Sequence, residues 1–456
     1  MASTSGITFS GLASGLDTAS IIKQLVQVES LPITRMQNQQ SDLDAKSKKL
    51  TTLQSKLDDL RNASLALDTR TEALPTKASS SNSSVFSATA TGGASLGTYR
   101  VHVDRLASAA RVYSNAFTDP EASGVFGTGT LTLTVGTSSY DVDVTSTDTL
   151  DSVMTKINAS GAPLTAGMLY DGSGWRLAVS GQGTGSANAL TISEGGLTLG
   201  LSSPANVAAE AQDAQFQIDG HTLTRSTNVV ADAIKGVTIE LTGASAGATE
   251  DRITIASDPT ALEGAVQKLV DAYNAVNAFV ASEESWTGSA KDPTSLNGDA
   301  TLRSVQARLR SAFLSPVVGT SGKYTTLASL GISTQKDGSL TLDKAKLTTA
   351  LGNAPDAVAA VLGRDGTGAM TMIAQAADVF TSSSTGEITQ RLTSMSKQRR
   401  QIDDRIAQMQ ARIDQYQTLL TSQFATLETT MSALKSQGDQ ITAALDALSA
   451  SSSSKK

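Results

Sequence analysis

The chain contains no cysteine, which excludes disulfides and thiolate-ligated metal sites. Aromatic residues make up only 4% of it, so its cores must be built from aliphatic side chains. Basic residues are outnumbered, with 36 Lys and Arg against 43 Asp and Glu for a net charge of −7. Binding to a phosphate backbone needs a basic surface, so nucleic acid is not expected as a partner. No apolar run approaches the roughly 20 residues of a spanning helix, and no membrane insertion is expected. Residues 1–17 hold neither Lys nor Arg nor a long apolar stretch, so no Sec-type signal peptide is expected there. A cysteine-free chain suits the cytosol. It suits equally a protein exported unfolded that must assemble outside without oxidative folding.

Catalytic chemistry is scarce as well. The two histidines, His102 and His221, sit inside alternating strand patterns and read as exposed strand residues. Gly181, Gly183 and Gly185 form a glycine-rich loop, but a strand-like run follows them. A phosphate cradle must instead open a helix. The segment from Gly319 to Lys323 lacks P-loop spacing, and no nucleophile elbow is present. No catalytic residue, metal ligand or cofactor is expected, and the chain does not read as an enzyme.

What the sequence does contain is a heptad seam near its end, over 388–448. One row runs Leu392, Arg399, Ile406, Ile413, Leu420; the other runs Ile388, Met395, Ile402, Met409, Tyr416. Apolar positions at alternating spacings of four and three mark a coiled coil. After Leu420 the register jumps by four residues, then continues through Phe424, Leu427, Met431, Leu434, Ile441, Leu445 and Leu448. Such an insertion unwinds the supercoil locally without ending the helix. Gly438 weakens this stretch by about 1 kcal/mol relative to Ala.

A seamed helix needs a partner, and the other end of the chain offers one. Residues 1–34 read as a flexible arm followed by a short helix that ends at Pro32. A second helix, within 35–75, carries Met36, Leu43, Leu50 and Leu57 in one row and Leu53, Leu60 and Leu67 in the other. The expected leg therefore pairs Leu43, Leu50, Leu53, Leu57 and Leu60 with Ile402, Ile406, Met409, Ile413, Tyr416 and Leu420. Arg399 falls on a seam position and is expected to pair with Asp42, Asp44 or Asp58.

Everything between the two terminal helices is an insertion. Alternating Val, Thr, Tyr and Leu with Gly turns predicts a β-rich head from 76–115 and 207–257, interrupted by a second β-rich domain at 116–206. Asp219-Gly220 reads as a tight hairpin turn. The pattern of hairpin, polar turn and short helix at 131–158 is echoed at 216–234, where Val229, Val230, Ala233 and Ile234 suggest the helix. Helical signals return over 258–386 around a hairpin at 332–342. Residues 387–448 form the coil helix, and 449–456 read as a disordered tail. The fold class is α+β and multidomain: terminal helices forming a coiled-coil leg, with two β-rich head domains inserted between them.

Specific residues now carry a resemblance. The run Gly11-Leu12-Ala13-Ser14-Gly15-Leu16-Asp17, then Ile21-Ile22, Leu25, Glu29 and Pro32, closely resembles the opening of the flagellar filament-capping proteins, the hook-associated protein 2 family of FliD type. Phe216-Gln217-Ile218-Asp219-Gly220 resembles a repeat shared by that family and flagellins. Leu330-Gly331-Ile332 with Asp337-Gly338 and the late coil resemble its C-terminal half. The resemblance spans nearly the whole chain. It implies a homo-oligomeric ring at the distal tip of the bacterial flagellar filament that promotes folding and insertion of exported flagellin. It further implies flagellar type III export, contact with neighbouring hook-associated proteins, and a cytoplasmic chaperone on the C-terminal helix. On it rest the filament-contact candidates Leu12, Leu16, Asp17, Ile21 and Leu25. The C-terminal helix candidates for chaperone or filament, Leu434, Ile441, Leu445 and Leu448, rest on it too. Deleting residues 1–20 is expected to leave a folded protein that cannot hold the filament tip. A hook–filament junction protein is an alternative from the same machinery. A second is an adhesin binding host glycans or mucin through Trp175 and Tyr170.

Overall fold

The computed structural model describes residues 15, 17–285, 292–364 and 366–453, with side chains described to Ala447. Helix α1 (Thr18–Leu65) starts under an N-cap from Asp17, whose carboxylate accepts the Ser20 N–H at 3.0 Å. It does not end at Pro32, as the sequence suggests, but runs through it for 48 residues. Proline inside a helix removes one hydrogen bond and crowds a carbonyl, a penalty of about 3 kcal/mol. Packing offsets it, since Ile33, directly after the proline, is buried. The short α2 (Arg70–Ala73) is held by a reciprocal capping box between Thr69 and Glu72.

The chain then enters the head with β1 (Thr76–Ser80), β2 (Phe86–Ala90) and β3 (Gly97–Arg105). An inserted unit follows: β4 (Arg111–Tyr113), β5 (Gly129–Val135), β6 (Ser138–Val144), α3 (Leu150–Ala159), β7 (Leu164–Tyr170), β8 (Trp175–Gly181), β9 (Leu190–Ser193) and β10 (Val207–Ala209). The head resumes with β11 (Ala214–Ile218), β12 (His221–Arg225), β13 (Val229–Ile234), β14 (Val237–Leu241) and β15 (Asp251–Ser257). In the head, a five-stranded antiparallel sheet in the order β1-β15-β3-β11-β12 faces the three-stranded β13-β14-β2. Phe86, Phe216, Val103, Ile239 and Ile253 fill the core they share. The inserted unit has its own core between the sheets β10-β4-β8-β7 and β6-β5-β9. Because β4 and β10 pair within it, the insertion is wider than the 116–206 expected from sequence.

Asp219-Gly220 makes the tight turn between β11 and β12, with φ of 48° and 84° at its two residues. The echoed unit departs from expectation. Where the first unit has α3, capped by Thr149 and Ser152, residues 229–234 form strand β13 instead. Val230 and Ile234 are both buried, and a spacing of four fits one face of a strand as well as one face of a helix. The Asn228 side chain, the available helix cap, is committed elsewhere: it bonds the backbone N and O of Ala107 at 2.7 and 2.9 Å.

The neck back to the helices is a single antiparallel ribbon. Thr76 pairs with Ser257, and the Asp258 N–H donates to the Pro75 carbonyl at 2.8 Å. Beyond it come α4 (Pro259–Glu284), α5 (Ala300–Leu314), the hairpin β16 (Ile332–Thr334) and β17 (Leu340–Leu342), α6 (Lys344–Asn353), α7 (Pro355–Leu362) and α8 (Ala369–Thr381). The last element is α9 (Glu387–Ser453). It extends through residues 449–453, which composition marked as a disordered tail. No glycine or proline follows Leu448 to stop it, and a helix without a stop signal runs on and frays.

Candidate interaction site

The leg has two parts. Near the head, Leu50, Leu53, Leu57 and Leu60 of α1 are fully buried, but not in a two-helix seam. They share one core with Leu262, Val266 and Leu269 of α4, Leu302 and Leu309 of α5, and Ile373 and Phe380 of α8. This corrects the expected pairing of those leucines with Ile402–Leu420. Away from the head, beyond Pro293, which lines a cleft with Leu43 and Ile402, α1 and α9 continue as a pair among the described residues, running antiparallel. Asp44 meets Arg399 at 2.9 Å, Gln40 bonds Asp403, and Glu29 faces Arg412 at 3.6 Å. Glu29 and Gln40 lie in the heptad row Ile22, Val26, Glu29, Ile33, Met36, Gln40, Leu43. That row is therefore the face turned to Ile402, Ile406, Met409, Ile413, Tyr416 and Leu420. On the α9 side Ile402, Ile413 and Leu420 are buried; Ile406, Met409 and Tyr416 are half-buried. Polar residues within an apolar seam fix register at some loss of stability, the role open to Gln40 and Glu29.

Reading Pro32 as a helix end hides Ile22, Val26 and Ile33 as seam residues. Their spacing of four and seven, continued into Met36 and Leu43, is the signal that finds them.

Among the described residues, the antiparallel pairing sets where the seam loses its partner. Extended residue for residue, it brings Thr18, the first residue of α1, opposite Phe424. Phe424 is half-buried, whereas residues 429–447 are all exposed. Yet the apolar row continues: Leu427, Met431, Leu434, Ile441 and Leu445 are 42%, 38%, 56%, 62% and 61% exposed. At 1.5 Å per residue, the helix projects about 40 Å past the start of α1. The open end of the seam thus begins four residues after Leu420, at the register jump. Gly438 lies within it, with no neighbour within 4 Å of a Cβ placed there.

The remaining candidates divide. Asp17 is the exposed cap of α1, Ile21 is half-buried, and Leu25 is exposed beside Val28 and Leu31. Leu12, Leu16 and the Leu448 side chain lie outside the described residues. Arg399 pairs with Asp44, one of its expected partners, and with Asp403 at 3.4 Å. Tyr170 is exposed and rests on Trp175, ring centroids 5.4 Å apart; Trp175 is half-buried against the core of the inserted unit. His102 bonds the Thr249 carbonyl at 2.9 Å. The glycine loop after β8 is occupied by the Asp213 carboxylate, which accepts from both Ser186 N–H and hydroxyl at 2.7 Å. Those two bonds hold Asp213 below the usual carboxylate range. Among the described residues no group of three or more His, Asp or Glu is placed to hold a metal ion.

Two family models match most of this architecture: the flagellar hook-associated protein 2 N-terminus over residues 14–110, and its C-terminus over 211–436. The flagellar hook-associated protein 2 of Escherichia coli K12 is 30% identical over 465 aligned residues, covering 97% of this chain and 98% of that protein. The chain belongs to the flagellar hook-associated protein 2 family. The B-type flagellar hook-associated protein 2 of Pseudomonas aeruginosa is 28% identical over 440 residues, covering 90% and 91% of the two chains. Among solved structures, the crystal structure of the flagellar cap protein FliD D1-D2-D3 domains from Escherichia coli superposes with a TM-score of 0.63 at 30% identity. It covers 76% of this chain and 99% of that one. The flagellin hook IN motif matches residues 130–174, the β5–β6–α3–β7 unit. A member of the hook-associated protein 2 family is a structural filament cap of the bacterial flagellum, exported by the flagellar system and located at the extracellular filament tip.

Proposed function

We propose that the cap works as a ring whose β-rich heads form a plate and whose legs reach the filament, with the open seam of α9 as the anchoring element. The observation that carries this is the exposed apolar row from Leu427 to Leu445 at the end of the leg furthest from the head. An amphipathic helix of this kind is stabilised mainly by burying its apolar face against a partner. At the filament tip the partner is helical surface of flagellin or a neighbouring hook-associated protein. Before export it is a cytoplasmic chaperone covering Leu434, Ile441 and Leu445. The exposed row Leu25, Val28 and Leu31 on α1 supplies a second contact strip beside it. Anchoring through helices that order on contact gives attachment with a modest barrier to release. A cap that must step forward as each flagellin inserts needs both properties.

The test is a strain lacking its own cap protein, complemented with this chain ending at residue 425. The truncated protein keeps every packed contact of the leg bundle and head. It should fold, fail to retain the filament end, and leave flagellin in the medium as monomer. Normal filament length and swimming with the truncation would overturn the anchoring role. The glycan-adhesin reading has only the Tyr170–Trp175 pair behind it, and half of that pair is committed to core packing.

A further inference from the structure

Beside the neck, where leg meets head, lies a cleft of about 540 Å³, within the range that receives a ligand or an anchoring side chain. Its apolar lining comes from both bodies: Leu74, Pro75, Leu351 and Pro355 from the leg, Ala94 and Leu96 from the head. Leu96 stands 63% exposed. The rim is acidic on balance. Asp356 is paired with Arg70 at 2.5 Å, and Glu263, bonded to the lining residue Thr348, adds negative charge.

The same chain carries a matching projection. Val318, between α5 and β16, is 82% exposed, and Leu314, the last residue of α5, is 55% exposed. The loop is not loose. Val317 is buried beneath it and donates to the Thr325 carbonyl at 3.0 Å, and Arg364 donates to the Gly319 carbonyl at 3.1 Å. The charged groups at this projection, Lys323 and Arg364, are basic. Projection and cleft also sit at one level of the leg. Gly363, next to Arg364, packs so closely on the carbonyls of Leu67 and Thr69 that a Cβ there would stand 2.4 and 2.3 Å from them; Arg70 of the rim follows directly.

We propose that the Val318 projection of one copy docks in the neck cleft of the next, as a ring contact between leg and head. The proposal rests on the oligomeric cap reading and names one interface within it. A projection meeting a different surface on its neighbour is a heterologous contact, the kind that closes into a ring when repeated about an axis. Apolar tip meets apolar lining, and Lys323 and Arg364 meet Asp356 and Glu263. Because the cleft is walled by both leg and head, filling it also fixes the angle of the neighbour's neck.

The absence of cysteine makes the test direct. Val318→Cys protein and Leu96→Cys protein are mixed and oxidised, and the mixed disulfide dimer is quantified against the decoy pair Val318→Cys with Leu169→Cys. Leu169 is exposed on the inserted unit, away from the neck. Held thiols have a far higher effective concentration than freely colliding ones, so an excess on the order of tenfold is expected. In parallel, full-length Val318→Asp is sized by light scattering beside the wild-type chain. Its exposed position leaves the fold intact, which circular dichroism checks, and it should shift assemblies toward monomer. Crosslinking at the decoy level, or Val318→Asp assembling as wild type does, overturns the interface. A wild-type chain that forms rings in that same experiment leaves the oligomeric reading standing.

Discussion

Replacing Ile413 and Ile441 separately by alanine puts the division of α9 to a quantitative test. Both residues lie on the apolar seam of the same helix and lose the same atoms. Ile413 is 2% exposed against α1, whereas Ile441 is 62% exposed. Truncating a buried isoleucine to alanine costs about 2–5 kcal/mol. The lower end applies here, since a two-helix seam can close partly over the gap. Ile441→Ala removes no packed neighbour and should fall within about 0.5 kcal/mol of wild type. The Ile413 loss should also be local, because Ile33, Ile402, Ile413 and Leu420 lie outside the leg-bundle core. A local loss of about 2 kcal/mol raises the opening equilibrium roughly 30-fold. Native-state hydrogen exchange read by mass spectrometry should therefore show faster exchange over residues 20–40 and 400–420 in Ile413→Ala. The helices of the bundle should be unchanged. Equal effects of the two substitutions, or a larger one for Ile441→Ala, would refute the assignment of where the seam is closed.

Further outcomes follow from other sites. Asp299 caps α5 at Thr301 and pairs with Arg391. Burial opposes its charge, but the bonds from Arg391 and Thr301 outweigh burial and hold its carboxyl below the ordinary range. A depressed carboxylate stabilises the fold above its unfolded pKa of about 3.9, and that contribution is lost as pH falls through the folded value. Asp299→Asn should therefore destabilise by about 1–3 kcal/mol at pH 7 in urea titrations, and the gap to wild type should narrow below about pH 4. Gly438→Ala, with open space around it, should strengthen the projecting helix by about 1 kcal/mol, read as slower exchange over 430–447. Gly92→Ala would set a Cβ 2.1 Å from the Thr71 carbonyl at the neck. It should cost about 1–3 kcal/mol and change the head-to-leg angle measured by small-angle scattering.

Periodic features were legible in the sequence and isolated ones were not. The α9 seam shows itself because a heptad repeats in register over dozens of residues, and Asp219-Gly220 because few other dipeptides accept two positive φ values. Pro32 misleads: its local penalty is real, but packing at Ile33 and the rows on either side outweighs it. Val230 and Ile234 mislead because their spacing serves strand and helix alike, and only the distant commitment of Asn228 to Ala107 decides between them. Leu50, Leu53, Leu57 and Leu60 show in the sequence as an apolar row. Their partners on α4, α5 and α8 are set by a bundle whose members lie more than 200 residues away in the chain. The neck cleft had no sequence signature. Its walls come from four separate stretches, around Leu74, Ala94, Pro259 and Leu351.

The proposed anchoring requires the seam beyond Phe424 to be open in the free protein and closed at the filament tip. Hydrogen exchange over residues 426–447, measured on the free cap protein and on the same protein capping purified filaments, addresses it directly. Exchange in the free protein should be close to that of an isolated, fraying helix, with strong protection at Leu434, Ile441 and Leu445 once the filament is capped. Protection already matching the leg bundle in the free protein, or none on the capped filament, would contradict it.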